Sequence, residues 1–567
     1  MNYKQLLSEI LADCTSLSAS DLLAAIETPT DPALGHLAFP CFRLAKELKK
    51  APPVIAAELA TQLSQSRPAW LGEVRATGPY VNFFFDRAAF AGDVLHELFA
   101  KGEQYGASGI GAGKCIVMDY SSPNIAKPFH VGHLGSTIIG LSIDKIHRFL
   151  GYNVTSINYL GDWGTQFGKV IVAYQKWGSK DDIDKRGIDG LVELYVRFHD
   201  EAEKDKTLDN DARAWVVRLE NGDAEGLALW RWFVDISLAQ YKKLYKRLNM
   251  DFDVYGGESH YNGKMEPTVQ ILRDKDLLKE SDGAQIVDLE DYKMPPCLIL
   301  RSDGGSLYPT RDITAAIDRY NNYNFDRCLY VTGQEQILHF AQFFKVLELM
   351  GYPWAGGLVH IPYGMFRFDT GKMSTRRGEV IKMEELIDEA VEKTIAVIHE
   401  KNPNLENKEQ IAEQVGIGAL IFNKLYTNRI KDTVFNWDLM LNFDGETGPY
   451  VQYAHARACS VLKKAGASNT ALEFDSALLT DDAAFDVLRL IYDFPSRIEE
   501  AAEKYEPYMI ARQLVALAQA FNAFYHHHII LVEDEALRNS RVALVSAVQL
   551  QLQIGLGLLG MAAPRAM

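Results

Sequence analysis

The segment from Cys115 to Gly151 constrains the fold more than any other part of this chain. Its first six residues, Cys-Ile-Val-Met-Asp-Tyr, form a short apolar run suited to a buried strand. A turn follows, and a helix opens near His130 with Ile139, Ile143, Ile146 and Leu150 as its apolar stripe, until Gly151 stops it. Further apolar runs at Val154 to Leu160, Cys328 to Thr332 and Leu358 to Pro362 alternate with amphipathic segments. Such alternation predicts a parallel sheet with helical crossovers, an α/β doubly wound nucleotide-binding unit.

Flanking this unit the texture differs. Residues 1 to about 110 read as a small α+β domain, with a buried strand after the Gly78-Pro79 turn and a linker marked by Gly106, Gly109, Gly111 and Gly113. Residues 179 to about 240 are charge-rich, helical in pattern and look inserted between strands. Leu298-Ile-Leu and Ser306-Leu-Tyr308 around Asp303-Gly-Gly predict a hairpin. Beyond about 410 strand signals disappear. Five helices are expected at 411–426, 449–464, 485–504, 507–527 and 537–559, giving an all-α C-terminal bundle. The boundaries fall at 1–110, 111–440 and 441–567.

Composition excludes little but does so firmly. With 47% apolar residues over 567 positions the chain can fill several cores, which rules out disorder. Six scattered cysteines, with no C-x-x-C pair, fit reduced thiols in the cytoplasm and predict no structural zinc. No run reaches the ~18 apolar residues of a membrane span, and no membrane association is expected. A net charge of −16 argues weakly against nucleic acid, yet a local groove can run against the average.

Two segments carry chemistry. At the entrance of the helix near His130, unpaired N–H groups and the positive dipole end favour phosphate, and Gly132 has no side chain to obstruct it. His130 and His133, three apart, share one face and can donate to the same phosphate. An isolated His-x-x-His is more often a pair of surface histidines. Gly371-Lys-Met-Ser-Thr-Arg-Arg-Gly378 is a cationic loop able to close over a triphosphate, and alone it too would read as a solvated loop.

Together, His-Val-Gly-His and Lys-Met-Ser-Thr-Arg resemble the paired signatures of class I aminoacyl-tRNA synthetases. Ser121-Ser-Pro-Asn-Ile-Ala-Lys127, Leu160-Gly-Asp-Trp-Gly-Thr-Gln-Phe-Gly168, Leu307-Tyr-Pro-Thr-Arg-Asp312 and Gly448-Pro-Tyr-Val-Gln-Tyr-Ala-His-Ala-Arg457 narrow the resemblance to arginyl-tRNA synthetases over nearly the whole chain. It implies ATP-dependent attachment of L-arginine to the 3′ end of tRNA(Arg), with ATP used alongside Mg2+, by a cytoplasmic monomer. Its catalytic residues would be Lys127, His130, His133 and Lys372, with Gly132 and Ser374 also at ATP. Asp119, Asn124, Tyr308, Asp312 and Gln336 would hold arginine, and Tyr450, Tyr453, Tyr525 and Met567 would meet the anticodon loop. The N-terminal domain would touch the tRNA elbow.

Two positions depart from the family pattern. Thr375 replaces the usual second lysine of the cationic loop, a role the resemblance passes to Lys127, and Gly135 stands where many relatives carry arginine. His526-His-His528 is not expected to bind metal, because consecutive helical side chains point ~100° apart. Two rivals stay open at this stage: another enzyme on the same scaffold, and a catalytically silent RNA-binding paralogue.

Overall fold

The structure, a computed structural model, describes residues 2–302, 305, 307–368, 381–466 and 473–567. At its centre five parallel strands, β1 (Cys115–Asp119), β2 (Asn153–Leu160), β3 (Val254–Gly257), β4 (Arg327–Gly333) and β5 (Leu358–Tyr363), lie in the order β5-β4-β1-β2-β3. Alternate residues of each strand enter different cores. Ile116, Met118, Leu329 and Val331 face one, while Val117, Cys328 and Tyr330 face the other. Burial on both faces explains why these strands read as unbroken apolar runs.

Helix α1 (Leu134–Phe149) follows β1, and Gly151, at φ +86°, takes the left-handed turn after its end. The expected stripe is buried, but so are Ser136, Thr137, Leu141 and Ser142 on other faces, because the C-terminal bundle covers the side away from the sheet. The inserted segment is four helices, Lys180–Arg186, Ile188–Lys204, Thr207–Glu220 and α2 (Ala224–Arg247), placed between β2 and β3.

Three expectations change. Leu298–Leu300 does not pair with Leu307 and Tyr308; Cys297–Leu300 instead closes a three-stranded antiparallel sheet with Leu278–Ser281 and Ala284–Val287. Tyr308 opens helix α3 (Tyr308–Tyr323), because Pro309 suits a first helical turn and cannot serve a ladder. Asp303, Gly304 and Ser306 lie outside the described residues. Strand pairing also persists past 410: Thr433–Phe435 runs parallel to Phe366–Phe368. In the N-terminal unit the buried strand Tyr80–Phe85 pairs with Leu71–Thr77 and Leu37–Pro40, partners that composition did not signal.

The C-terminal helices fall where expected: α5 (Lys408–Leu425), α6 (Gly448–Ala465), α7 (Asp482–Lys504), α8 (Tyr508–His527) and α9 (Glu535–Leu558), with α4 (Ile337–Leu349) earlier, between β4 and β5. Against the expectation that no segment is apolar enough to span a membrane, α9 could cross a bilayer by length and composition, yet 78% of its apolar window is buried inside the protein.

Candidate active site

A cavity of about 540 Å³ opens beside the carboxyl ends of β1, β2 and β4. The sheet order reverses between β1 and β4, the topological switch point where open α/β sheets bind ligands. Asp119, Asn124, Lys127, Tyr308, Asp312 and Gln336 all line it. Helix α3 presents Tyr308, Asp312, Ala315 and Arg319 from one face, and Tyr195 of the insertion lines the same space. Asn124 sits against Gly161, where a β-carbon would meet its Oδ1 at 2.0 Å, so the Leu-Gly-Asp word makes room for that carboxamide.

Among the described residues three carboxylates line the cavity, and each has a partner. Asp119 Oδ2 accepts from Arg319 Nη2 at 2.6 Å and its Oδ1 from Ser122 Oγ at 2.8 Å. Arg319 is buried, its guanidinium between the rings of Tyr159 and Tyr330 at 5.1 and 5.2 Å. Asp119 therefore spends its charge on an internal guanidinium rather than standing free for a substrate. Asp312 Oδ2 accepts from His339 Nε2 at 2.6 Å. Glu258, the first residue after β3, pairs with Arg311 at 3.0 Å. Burial pushes the Glu258 carboxyl up to about 7; Arg311 opposes this, while Asp312 and Asp162 add to it. Glu258 carries no motif in the sequence. The only cue would have been its place at the end of a strand that had itself gone unrecognised.

The cavity-facing turn after β1 is held in an uncommon shape. Ser121, Ser122 and Ala126 have φ of 70°, 42° and 55° without being glycine. Helix α2 supports them: Tyr241 Oη donates toward the carbonyls of Asn124 (2.7 Å) and Lys127 (2.8 Å), and Ser237 Oγ accepts from Ala126 N at 3.2 Å. Tyr245 Oη lies 2.9 Å from Ser121 Oγ.

The histidine pair forms a capping box. His130 Nδ1 accepts from Gly132 N at 3.0 Å and His133 Nδ1 from His130 N at 3.2 Å, with the rings 4.0 Å apart. The remaining amides are also used: Val131 N bonds Ile381 O, and His133 N bonds His130 O. The open set of N–H donors expected at this helix entrance is thus absent, because the imidazoles and residue 381 consume it. With both Nδ1 atoms accepting, the neutral rings carry their proton on Nε2, the atom left to donate. Burial holds His133 at about 3 and, with the Lys127 charge as a second cause, lowers His130. Neither ring lines the cavity itself.

Met383 N bonds Phe129 O at 2.9 Å, so residues 381–383 are laced to the histidine motif. Lys372 and Ser374 lie outside the described residues. Gly135 has a steric explanation: a β-carbon there would sit 2.6 Å from the ring of buried Tyr363 at the end of β5.

A second, larger cavity of about 1360 Å³ is lined by α6, the end of α8 and residues 565–567. Tyr453, Tyr525 and Met567 line it, with Arg457 4.8 and 5.4 Å from the two rings. Tyr450 does not join them; its Oη accepts from Asn522 Nδ2 at 2.9 Å. His526, His527 and His528 also line it, and among the described residues no group of three or more His, Cys, Asp or Glu could hold a metal ion.

Comparison with known proteins accounts for nearly every part of the chain. Residues 94–437 match the family model of the class I (R) tRNA synthetase catalytic domain, 451–567 that of the DALR anticodon binding domain, and 1–85 that of the arginyl tRNA synthetase N terminal domain. The chain is 52% identical over 567 residues to an arginine–tRNA ligase of Alkaliphilus metalliredigens and 48% identical over 568 residues to one of Halothermothrix orenii, covering 100% of both chains in each case. Among solved structures, the arginyl-tRNA synthetase of Thermus thermophilus superposes with a TM-score of 0.81 at 26% identity, over 96% of each chain.

Proposed function

Because the chain belongs to the arginyl-tRNA synthetase family, we propose that it is an arginine–tRNA ligase whose chemistry runs in the cavity at the β1–β4 switch point. The arginine carboxylate attacks the α-phosphate of ATP in line and expels pyrophosphate. A ribose hydroxyl at the tRNA 3′ end then attacks the adenylate carbonyl and releases AMP. No side-chain nucleophile is needed.

Asp312 takes the guanidinium, whose planar donors need a carboxylate partner once desolvated, and the charge of nearby Glu258, held by Arg311, adds to the attraction. Asn124, Tyr308 and Gln336 orient the rest of the amino acid, and Asp119 shapes the pocket floor through Arg319. The Nε2 protons of His130 and His133, with Gly132 between them, and the ammonium of Lys127 face the phosphates together with Lys372 and Ser374. ATP arrives as its magnesium complex. The observation that carries this reading is the convergence on one cavity of all five residues expected at arginine and of Lys127, joined there by a third carboxylate.

Three units divide the work: 1–110 at the tRNA elbow, 111–440 in catalysis and 441–567 at the anticodon loop, where Tyr453, Tyr525 and Met567 offer stacking and apolar surface. The protein acts as a cytoplasmic monomer without membrane contact. Aminoacylation with ATP, total tRNA and either arginine or lysine tests the proposal. Arginine alone should be charged; charging of lysine, or tRNA binding without turnover, would overturn it. Activation should itself require tRNA, so that arginine-dependent pyrophosphate exchange without tRNA would contradict that part.

A further inference from the structure

The carboxylates at the cavity are not equivalent, and the difference lies in what holds each of them. Both acids that come from the sheet, Asp119 and Glu258, are paired with guanidiniums of helix α3, Arg319 at 2.6 Å and Arg311 at 3.0 Å. These partners are permanently charged. Asp312 comes from α3 itself, and its partner is an imidazole, His339, which approaches from the first turn of α4 and does not line the cavity. An imidazole N–H can fix a carboxylate without bringing a permanent charge to it.

We infer that His339 is a specificity-determining positioning residue for arginine: it orients Asp312 yet leaves this one cavity carboxylate without a built-in guanidinium, so that the substrate supplies it. The inference rests on the arginine reading of the cavity. The rings of Phe340 and Phe343 lie 5.4 Å from that of His339 and help hold it in place. A donor that held Asp312 with a fixed charge would fill the vacancy that selects the substrate.

Three variants test this by the KM values for arginine, ATP and tRNA in aminoacylation, with thermal melting to confirm folding. His339→Gln keeps an uncharged N–H donor and should hold the arginine KM within about threefold of wild type. His339→Leu removes the donor and should raise it by about tenfold or more. His339→Lys supplies a permanent cation and should raise it further, by about a hundredfold. The ATP and tRNA KM values should move by less than about twofold throughout, the pattern expected when only the amino-acid site changes. The inference fails if the Lys variant charges arginine with the wild-type KM, if Gln behaves as Leu does, or if the losses fall equally on ATP. A wild-type protein that does not charge arginine would refute the underlying reading instead.

Discussion

Glu258 should give the proposed arginine site a pH dependence whose size can be worked out. Its carboxyl sits at about 7, against 4.5 for the exposed group, mainly because it is buried. Only the ionised form attracts a guanidinium. The ionised fraction is about nine tenths at pH 8 and about one tenth at pH 6, so apparent arginine affinity should fall by about tenfold across that interval. His133, at about 3, and His360, at about 4, stay neutral throughout and contribute no slope. The assay is the arginine KM in aminoacylation between pH 6 and 8, with the ATP KM as the internal control. In Glu258→Gln the group is uncharged at every pH, so the profile should be flat and lie near the acid limb of the wild type. A wild-type arginine KM that does not change with pH, or a Gln variant that keeps the slope, would refute the reasoning. Stability moves the other way. An acid whose folded pKa lies above its unfolded value binds more protons when folded, so its contribution is intact below about 4.5 and is lost as pH rises through about 7, amounting to at most about 3 kcal/mol.

Replacing both His130 and His133 by Ala should abolish adenylate formation while leaving tRNA binding, measured by filter retention, largely intact; equal loss of both would point to misfolding. Gly135→Ala should destabilise by about 1–3 kcal/mol despite better helix propensity, because the new carbon meets Tyr363 at 2.6 Å. Gly92→Ala, whose nearest neighbour would be Ser476 Oγ at 3.4 Å, should instead gain ~0.5–1 kcal/mol. Thermal melts of the two variants shifting in the same direction would contradict this contrast. Tyr453→Ala and Tyr525→Ala should each weaken tRNA binding by ~1–3 kcal/mol with an unchanged arginine KM. An unaltered tRNA KM in both would remove the anticodon role.

The central sheet was legible because strands buried on both faces leave long apolar words, and the bundle because its helices are long and periodic. Val254–Gly257 escaped notice as a four-residue edge strand ending in two glycines, and with it went Glu258. The Leu278–Leu300 sheet was obscured for a related reason: Leu-Lys-Glu-Ser is mostly exposed and lacks the alternation that burial imposes. Asn124, Tyr308 and Asp312 stand out because they sit inside distinctive words, whereas Gln336 rests on the family resemblance alone; all four line the cavity. The partners of Asp119 and Asp312 do not stand out, since Arg319 and His339 approach from a distance that no local pattern records. The histidine motif stands at the helix entrance that the sequence suggests, but its amides are not open, because imidazoles acting as helix caps fall outside the usual Ser, Thr, Asp and Asn choices.

Helix α1, which follows the histidine pair, is enclosed on its outer side by the last helix of the chain. Ser142 Oγ donates to Leu558 O at 3.0 Å, a bond joining residues 416 positions apart. At ~5–20 residues per second, the ribosome delivers the second partner roughly 20–80 s after the first. Throughout that wait the apolar flank of α1 stays uncovered, so the closing of the catalytic core waits on the synthesis of α9.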